Sequence, residues 1–145
     1  MRKQLDEVQR YLVQIAPIMR LDHWSIMVTD ELPDEGAHAD AWTHPRYDAV
    51  TIRFGTEFLT EFSAEQQRWI CVHELGHAIG RGVDELLDSL VLGVRNMAIS
   101  DQADDAVEKM IDHFTRIIMP FIPLPQWEWS KKESGHAPFL PPPHN

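Results

Sequence analysis

Residues 73–77 read His-Glu-Leu-Gly-His, and this pentapeptide constrains the fold more than any other part of the chain. Two imidazoles four residues apart converge only on a helix, where 3.6 residues per turn set one above the other. In that register both can reach one Zn²⁺ at about 2.0–2.1 Å. Glu74 is rotated by about 100° from His73. Its carboxylate then stands beside the ion, where it can take a proton from water. Trp69, Val72, Leu75, Gly76 and Ile79 fall on one face of the same helix, and His73, Glu74 and His77 on the other. The pattern predicts a helix that buries its apolar face and aims the motif into a cleft. Ser63 with Gln66 is a capping-box pair that starts it, and Gly80-Arg81-Gly82 offers a C-cap that ends it.

A catalytic ion takes three protein ligands and leaves a position for water, so two histidines need a third partner. Glu108 and Asp112 form Glu-x-x-x-Asp on a later helix expected from about Asp101 to Ile118, with Val107, Met110, Ile111, Phe114 and Ile118 as its apolar stripe. Glu108 sits at the edge of that stripe, a position that suits a residue lining a cleft beside the core. Asp112, one turn on, can accept a hydrogen bond from a ligand imidazole. Asp104 and Asp105 are alternative third ligands. His38, His44 and Tyr47, around the second and third strands, are candidates for an oxyanion donor or a substrate contact. His113 is expected to point away from the metal, and His136 and His144 to lie in solvent. Cys71, the only cysteine, rules out an intrachain disulfide and is expected to pack as a small apolar residue.

The rest of the chain reads as α+β. Leu5, Val8, Leu12, Ile15 and Met19 mark an N-terminal amphipathic helix whose last turn Pro17 loosens. Trp24, Ile26 and Val28 form an alternating strand, Ala37 to Trp42 a weaker one, and Val50, Ile52 and Phe54 a third. A small, mostly antiparallel three-stranded sheet is expected. The HExxH helix follows, then a helix striped by Leu86, Leu87, Leu90, Val91 and Val94, then the glutamate helix, together a C-terminal helical subdomain. Seven of the ten prolines lie at position 120 or later. Residues 1–125 are therefore expected to form one domain and 126–145 a Pro-rich extended tail, with Trp127, Trp129 and Phe139 available to dock it.

With 23 acidic and 13 basic side chains, the net charge of −10 speaks against a phosphate-binding surface, and no nucleic acid is expected as partner. No apolar run approaches the roughly 20 residues of a membrane span, and the N-terminus has no apolar signal region. The expectation is a cytoplasmic chain that does not engage a membrane.

The motif and the later Glu-x-x-x-Asp together resemble the gluzincin branch of zinc metallopeptidases, with its thermolysin-like metal site. The compact layout is similar to minimal gluzincins and to small phage- and actinobacteria-type HExxH proteins, over about residues 1–125, with Trp24-Ser-Ile26 opening the sheet. The resemblance implies zinc held by His73, His77 and Glu108, Glu74 as general base, and Asp112 orienting an imidazole. It implies a metalloendopeptidase acting on a peptide or protein substrate. The chain departs from the family in having Asp-Ala-Val before Glu108, where members commonly have Asn-Glu or Glu-rich surroundings. It also lacks the HxxGxxH continuation of metzincins. Competing expectations are a non-enzymatic, metal-stabilised binding or regulatory module, and a phage-type protease that cleaves a repressor. A DNA-repair protease of the SprT-like kind is disfavoured by the charge and by the missing cysteine zinc module.

Overall fold

A computed structural model describes residues 1–44, 46–94, 97–127 and 129, with backbone alone for 84, 88, 90–94 and 97–100. The N-terminal stripe folds as helix α1 (Arg2–Ile15), burying Leu5, Val8, Leu12 and Ile15 together with Tyr11. Pro17 has no N–H to continue the α-helical ladder, and the chain tightens into a 3-10 turn, Ala16–Met19. Arg20 closes that turn in the left-handed conformation, at φ 63°.

Three short strands follow, β1 (Ser25–Thr29), β2 (Ala39–Thr43) and β3 (Ala49–Phe54), in the spatial order β1-β3-β2. β2 pairs antiparallel with β3, but β1 pairs parallel with it, so the sheet is mixed where a mostly antiparallel one was expected. A hairpin needs only the short connection between Thr43 and Ala49, whereas a parallel neighbour needs a long crossover. Residues 30–38 start that crossover by carrying the chain to the far edge, which leaves the middle position for β3. Val50, Ile52 and Phe54 are buried on the inner face. On the outer face Arg53 clasps Asp40 across the pair, Nε to Oδ1 at 2.7 Å and Nη2 to Oδ2 at 2.6 Å, and reaches Asp34 at 2.9 Å. The acidic turn after β1 is thereby tied to the sheet.

The two sheet edges are treated differently. On the β1 side, the Gln9 side chain of α1 donates to the Ile26 carbonyl and accepts from the Val28 N–H, both at 2.6 Å. An amide group thus does the work of a fourth strand. On the β2 side, bonds from Gly55 N–H to the His38 carbonyl and from His44 N–H to the Ala49 carbonyl fix the alternation of the ladder. The peptide groups of Ala39, Ala41 and Thr43 then point away from β3.

After the short helix α2 (Thr56–Thr60), the capping box starts α3 (Ala64–Val94): Ser63 N–H donates to Gln66 Oε1 at 2.9 Å and Gln66 N–H to Ser63 Oγ at 3.3 Å. α3 does not end at Gly80-Arg81-Gly82. It runs through to Val94, so the two helices expected on either side of those glycines are one. Gly80 works here as a packing position: a β-carbon there would lie 3.4 Å from Met110 Cε and 3.6 Å from Ile111 Cδ1. Arg81 braces the helix against the β2–β3 connection, donating to the carbonyls of His44 and Tyr47 at 3.3 and 2.8 Å. Of the stripe expected beyond the glycines, Leu86 is exposed, and the side chains of Leu90, Val91 and Val94 lie outside the described residues. The last helix, α4 (Met97–Ile118), packs along α3 and buries Val107 and Ile111.

The core lies among α1, the inner sheet face, α2 and the first half of α3, and Ile122 and Trp127 belong to it. Gln67, fully buried, donates to the Phe58 carbonyl at 2.7 Å and accepts from Trp127 Nε1 at 2.8 Å. This locks the segment after α4 to α2 and α3. Among the described residues no helix is long and apolar enough to cross a membrane.

Replacing Gln9 with Ala should lower unfolding free energy by about 1–3 kcal/mol, the cost of leaving partly buried peptide groups unpaired. Urea denaturation of the two proteins measures it, with unchanged helix content in circular dichroism as the control.

Candidate metal centre

His73 and His77 project from one side of α3 with ring centroids 5.2 Å apart. What faces them is set by how closely α4 approaches. A β-carbon on Gly76 would fall 2.7 Å from Ile111 Cγ2, closer than such atoms come, so glycine is required at this crossing. With the helices this near, Glu108, one turn before Asp112, leans over both imidazoles. Glu108 Oε2 is 3.2 Å from His73 Nε2, and Glu108 Oε1 is 3.5 Å from His77 Nε2. One nitrogen from each ring and one carboxylate oxygen lie within 4.8 Å of one another. Two ligands at 2.0–2.1 Å from a common tetrahedral centre stand about 3.3 Å apart, so the spacing observed fits a metal ion.

Asp112 Oδ1 lies 3.1 Å from His73 Nδ1. A ring that donates its Nδ1–H to this carboxylate keeps its Nε2 lone pair toward the cluster, the orienting arrangement of metal-ligating histidines. Burial pulls the His73 imidazole down, but the hydrogen bond to Glu108 and the negative charges of Glu74, Glu108 and Asp112 outweigh it, and the net shift is upward. His77 moves the other way, because burial, with the help of the His73 charge, exceeds the pull of Glu108. Three carboxylates, Glu74, Glu108 and Asp112, thus favour a positive charge at this point, and a divalent cation carries one.

Glu74 is buried, at 6% exposure, although it lines the cleft. The helical pattern aimed it into a cleft, and it lines one, whereas Ile79, expected on the buried face, is 43% exposed. β2 packs alongside α3 and lines the same cleft. Burial pushes the Glu74 carboxyl up to about 7; the His73 charge opposes this, while Glu108 and Asp40 add to it. Among the described residues its Oε2 has no hydrogen-bond partner. A buried, unpartnered carboxylate oxygen beside two imidazoles and a carboxylate suits an attacking or coordinated water.

The cleft in front of the cluster has a volume of about 550 Å³. α3 contributes Trp69 and Ile70 to one wall, and residues 35–41 with the β2 edge form the other. Gly36 turns that rim at φ 88°. The small side chains of Ala37, Ala39 and Ala41 let the wall come close, and their alternation was the sequence signal that could have identified it. His38 lines the cleft, its Nδ1 2.8 Å from Glu57 Oε2 and its ring edge-on to Phe62. His44 and Tyr47 are not among the lining residues. His44 binds Thr51 Oγ1 at 3.0 Å, and the Tyr47 side chain is exposed. Asp105 pairs with Lys109 on the exposed side of α4, and Asp104 is exposed; neither joins the histidine cluster. Cys71 is fully buried and packs in the core. His113, the residue after Asp112, is exposed, and His136 and His144 lie outside the described residues.

No family model, characterised protein or solved structure matches the chain. The geometry of the site therefore carries the functional argument.

Two measurements test the site. Gly76→Ala should cost about 1–3 kcal/mol through overpacking and reduce zinc binding, since Ile111 must yield. Gly82→Ala meets open space and should instead stabilise by about 0.5–1 kcal/mol. Thermal denaturation and zinc titration of both variants read this contrast. Asp112→Ala should weaken zinc affinity about 10–100-fold, whereas His73→Ala with His77→Ala should abolish stoichiometric zinc in elemental analysis.

Proposed function

We propose that the chain is a zinc-dependent metallopeptidase, with His73, His77 and Glu108 as metal ligands and Glu74 as general base. The observation that carries this reading is the buried Glu74 carboxylate, its Oε2 unpartnered, beside the three-residue cluster. A purely structural site has no use for an acid–base group there. The resemblance of HELGH and Glu-x-x-x-Asp to gluzincins supports the same assignment. Zinc, when bound, would supply Lewis acidity that polarises a substrate carbonyl and makes water more acidic.

The chain's own residues do the rest. Glu74 accepts a proton from water as the water oxygen bonds to the peptide carbonyl carbon. The carbon–nitrogen bond then breaks, and the departing nitrogen takes that proton from Glu74, so that one water is consumed and an acid and an amine result. Burial holds this carboxyl above its ordinary range, which suits a group that first takes a proton and then returns it. His38, which Glu57 holds at the cleft wall, is the imidazole on the sheet side of the cleft that a bound substrate meets. The outward peptide groups of Ala39 and Ala41 are placed to align an extended substrate as an added strand. The cleft thus accepts a backbone in extended conformation, which favours an unfolded or loop segment of a protein substrate.

Glu74→Gln should retain stoichiometric zinc and an unchanged melting curve while hydrolysis of a mixed peptide library falls by about 10²–10⁴-fold. Loss of the metal in this variant would make Glu74 structural. A zinc-loaded wild type that cleaves no peptide in the library would favour a metal-stabilised binding module.

A further inference from the structure

β2 offers two different faces to anything that pairs with its edge. Ala39 and Ala41 share the inner face with Ile52 and Phe54 of β3, and Asp40 and Trp42 share the outer face with Arg53 and Thr51. In the β2–β3 ladder the pairs His38 with Gly55 and His44 with Ala49 are hydrogen-bonded, and by alternation so are the pairs of Asp40 and Trp42. On the other side of β2 the alternation inverts. A strand added antiparallel there faces Asp40 and Trp42 in non-hydrogen-bonded pairs, whose Cα atoms are about 4.5 Å apart and whose side chains come closest. Asp40 and Trp42 are therefore the side chains that most influence which residues an added strand carries.

We propose that the cleft selects an extended segment carrying Lys or Arg at alternate positions, the positions that lie over Asp40 and Trp42. This rests on the reading of β2 as the edge that receives substrate. Charge is the first argument. Asp34 and Asp40 share one guanidinium, that of Arg53, so the trio keeps a negative charge. Glu35, exposed on the cleft rim, has no ion-pair partner among the described residues and adds another. No Lys or Arg lines the cleft, and Arg116, stacked over Trp69, is not among the lining residues. From Leu21 to His44 the chain carries six carboxylates and no Lys or Arg, and Arg46 follows in the turn after β2. Carboxylates alone would accept any cation. The indole narrows the choice. Trp42 is 65% exposed on the same face, one residue position beyond Ala41 of the cleft wall. A long basic side chain lays its methylene stem along such a ring and sets its charged head against the π face or the neighbouring carboxylates. An acidic side chain in the same place meets a like charge across the strand pair. The residues between point to the inner face, where Ala39 and Ala41 leave room and where the unpartnered Oε2 of Glu74 lines the cleft.

The test uses the full chain, zinc-loaded and carrying Glu74→Gln to stop turnover, with the wild-type chain in chelator titrated alongside. End-blocked, fluorescent peptides Ala-Lys-Ala-Lys-Ala, Ala-Gln-Ala-Gln-Ala and Ala-Glu-Ala-Glu-Ala are compared by anisotropy. At low salt the Lys peptide should bind about tenfold tighter than the Gln peptide, and the Glu peptide weakest of the three. Near 1 M salt, where the screening length is about 3 Å, the preference should shrink to about twofold. Trp42→Ala and Glu35→Gln, both at exposed positions, should each weaken the Lys peptide about two- to fivefold and change the Gln peptide less. No binding of any peptide, equal affinity for the Lys and Gln peptides, or a Lys preference that both rim variants leave intact would overturn the proposal. Incubating the same peptides with the zinc-loaded wild type separates it from the peptidase reading. Cleavage with no Lys preference in binding overturns the rim selection alone, and Lys-selective binding with no peptide cleaved overturns the peptidase reading alone.

Discussion

The contact between Gly76 of α3 and Ile111 of α4 fixes the geometry on which the site depends. HExxH alone brings two imidazoles together, and any helix long enough will do that. Bringing a carboxylate from another helix to both rings requires two helix axes closer than ordinary side chains allow, and a missing β-carbon supplies the room. Once Ile111 is seated there, the position of Glu108, three residues before it, and of Asp112, one after it, follows from the helical repeat. The distances from these carboxylates to the imidazoles are consequences of one packing event.

Electrostatics then gives the cluster its direction. Glu74, Glu108 and Asp112 surround His73, in a chain that is already strongly acidic. Such an arrangement is costly without a cation, because like charges in a poorly solvated place repel. Burial, with Glu108 and Asp40, raises the Glu74 carboxyl to about 7, and the carboxylates around His73 raise that imidazole. These are two expressions of one unmet demand for positive charge.

Much of this was legible in the residues, and what was not has physical reasons. The α1 stripe, the inner faces of β1 and β3, and the Ser63–Gln66 cap depend on neighbours a few positions apart, so spacing alone reveals them. The pairing of Glu108 and Asp112 with the histidines was readable because chemistry demanded a third ligand and a helix offered one. The parallel partnership of β1 and β3 was not readable, since nothing local distinguishes it from a hairpin order. The continuity of α3 through Gly80 was hidden for a related reason. A glycine that would cap a helix and a glycine that admits a neighbour look the same until the neighbour is known. Ile79 was assigned to the buried face because helical periodicity counts one helix at a time, and what packs against each flank is decided outside it.

The unequal edges of the sheet have a consequence for how this chain behaves in a crowd. A sheet with two free edges can be extended from both sides, and identical copies can then stack without limit. Here the Gln9 amide occupies the Ile26 carbonyl and the Val28 N–H of β1, and β2 is the edge that faces a cleft. The same glutamine that completes the fold thus blunts one edge of the sheet against pairing with another chain, and any strand that joins the sheet meets fewer obstacles at β2.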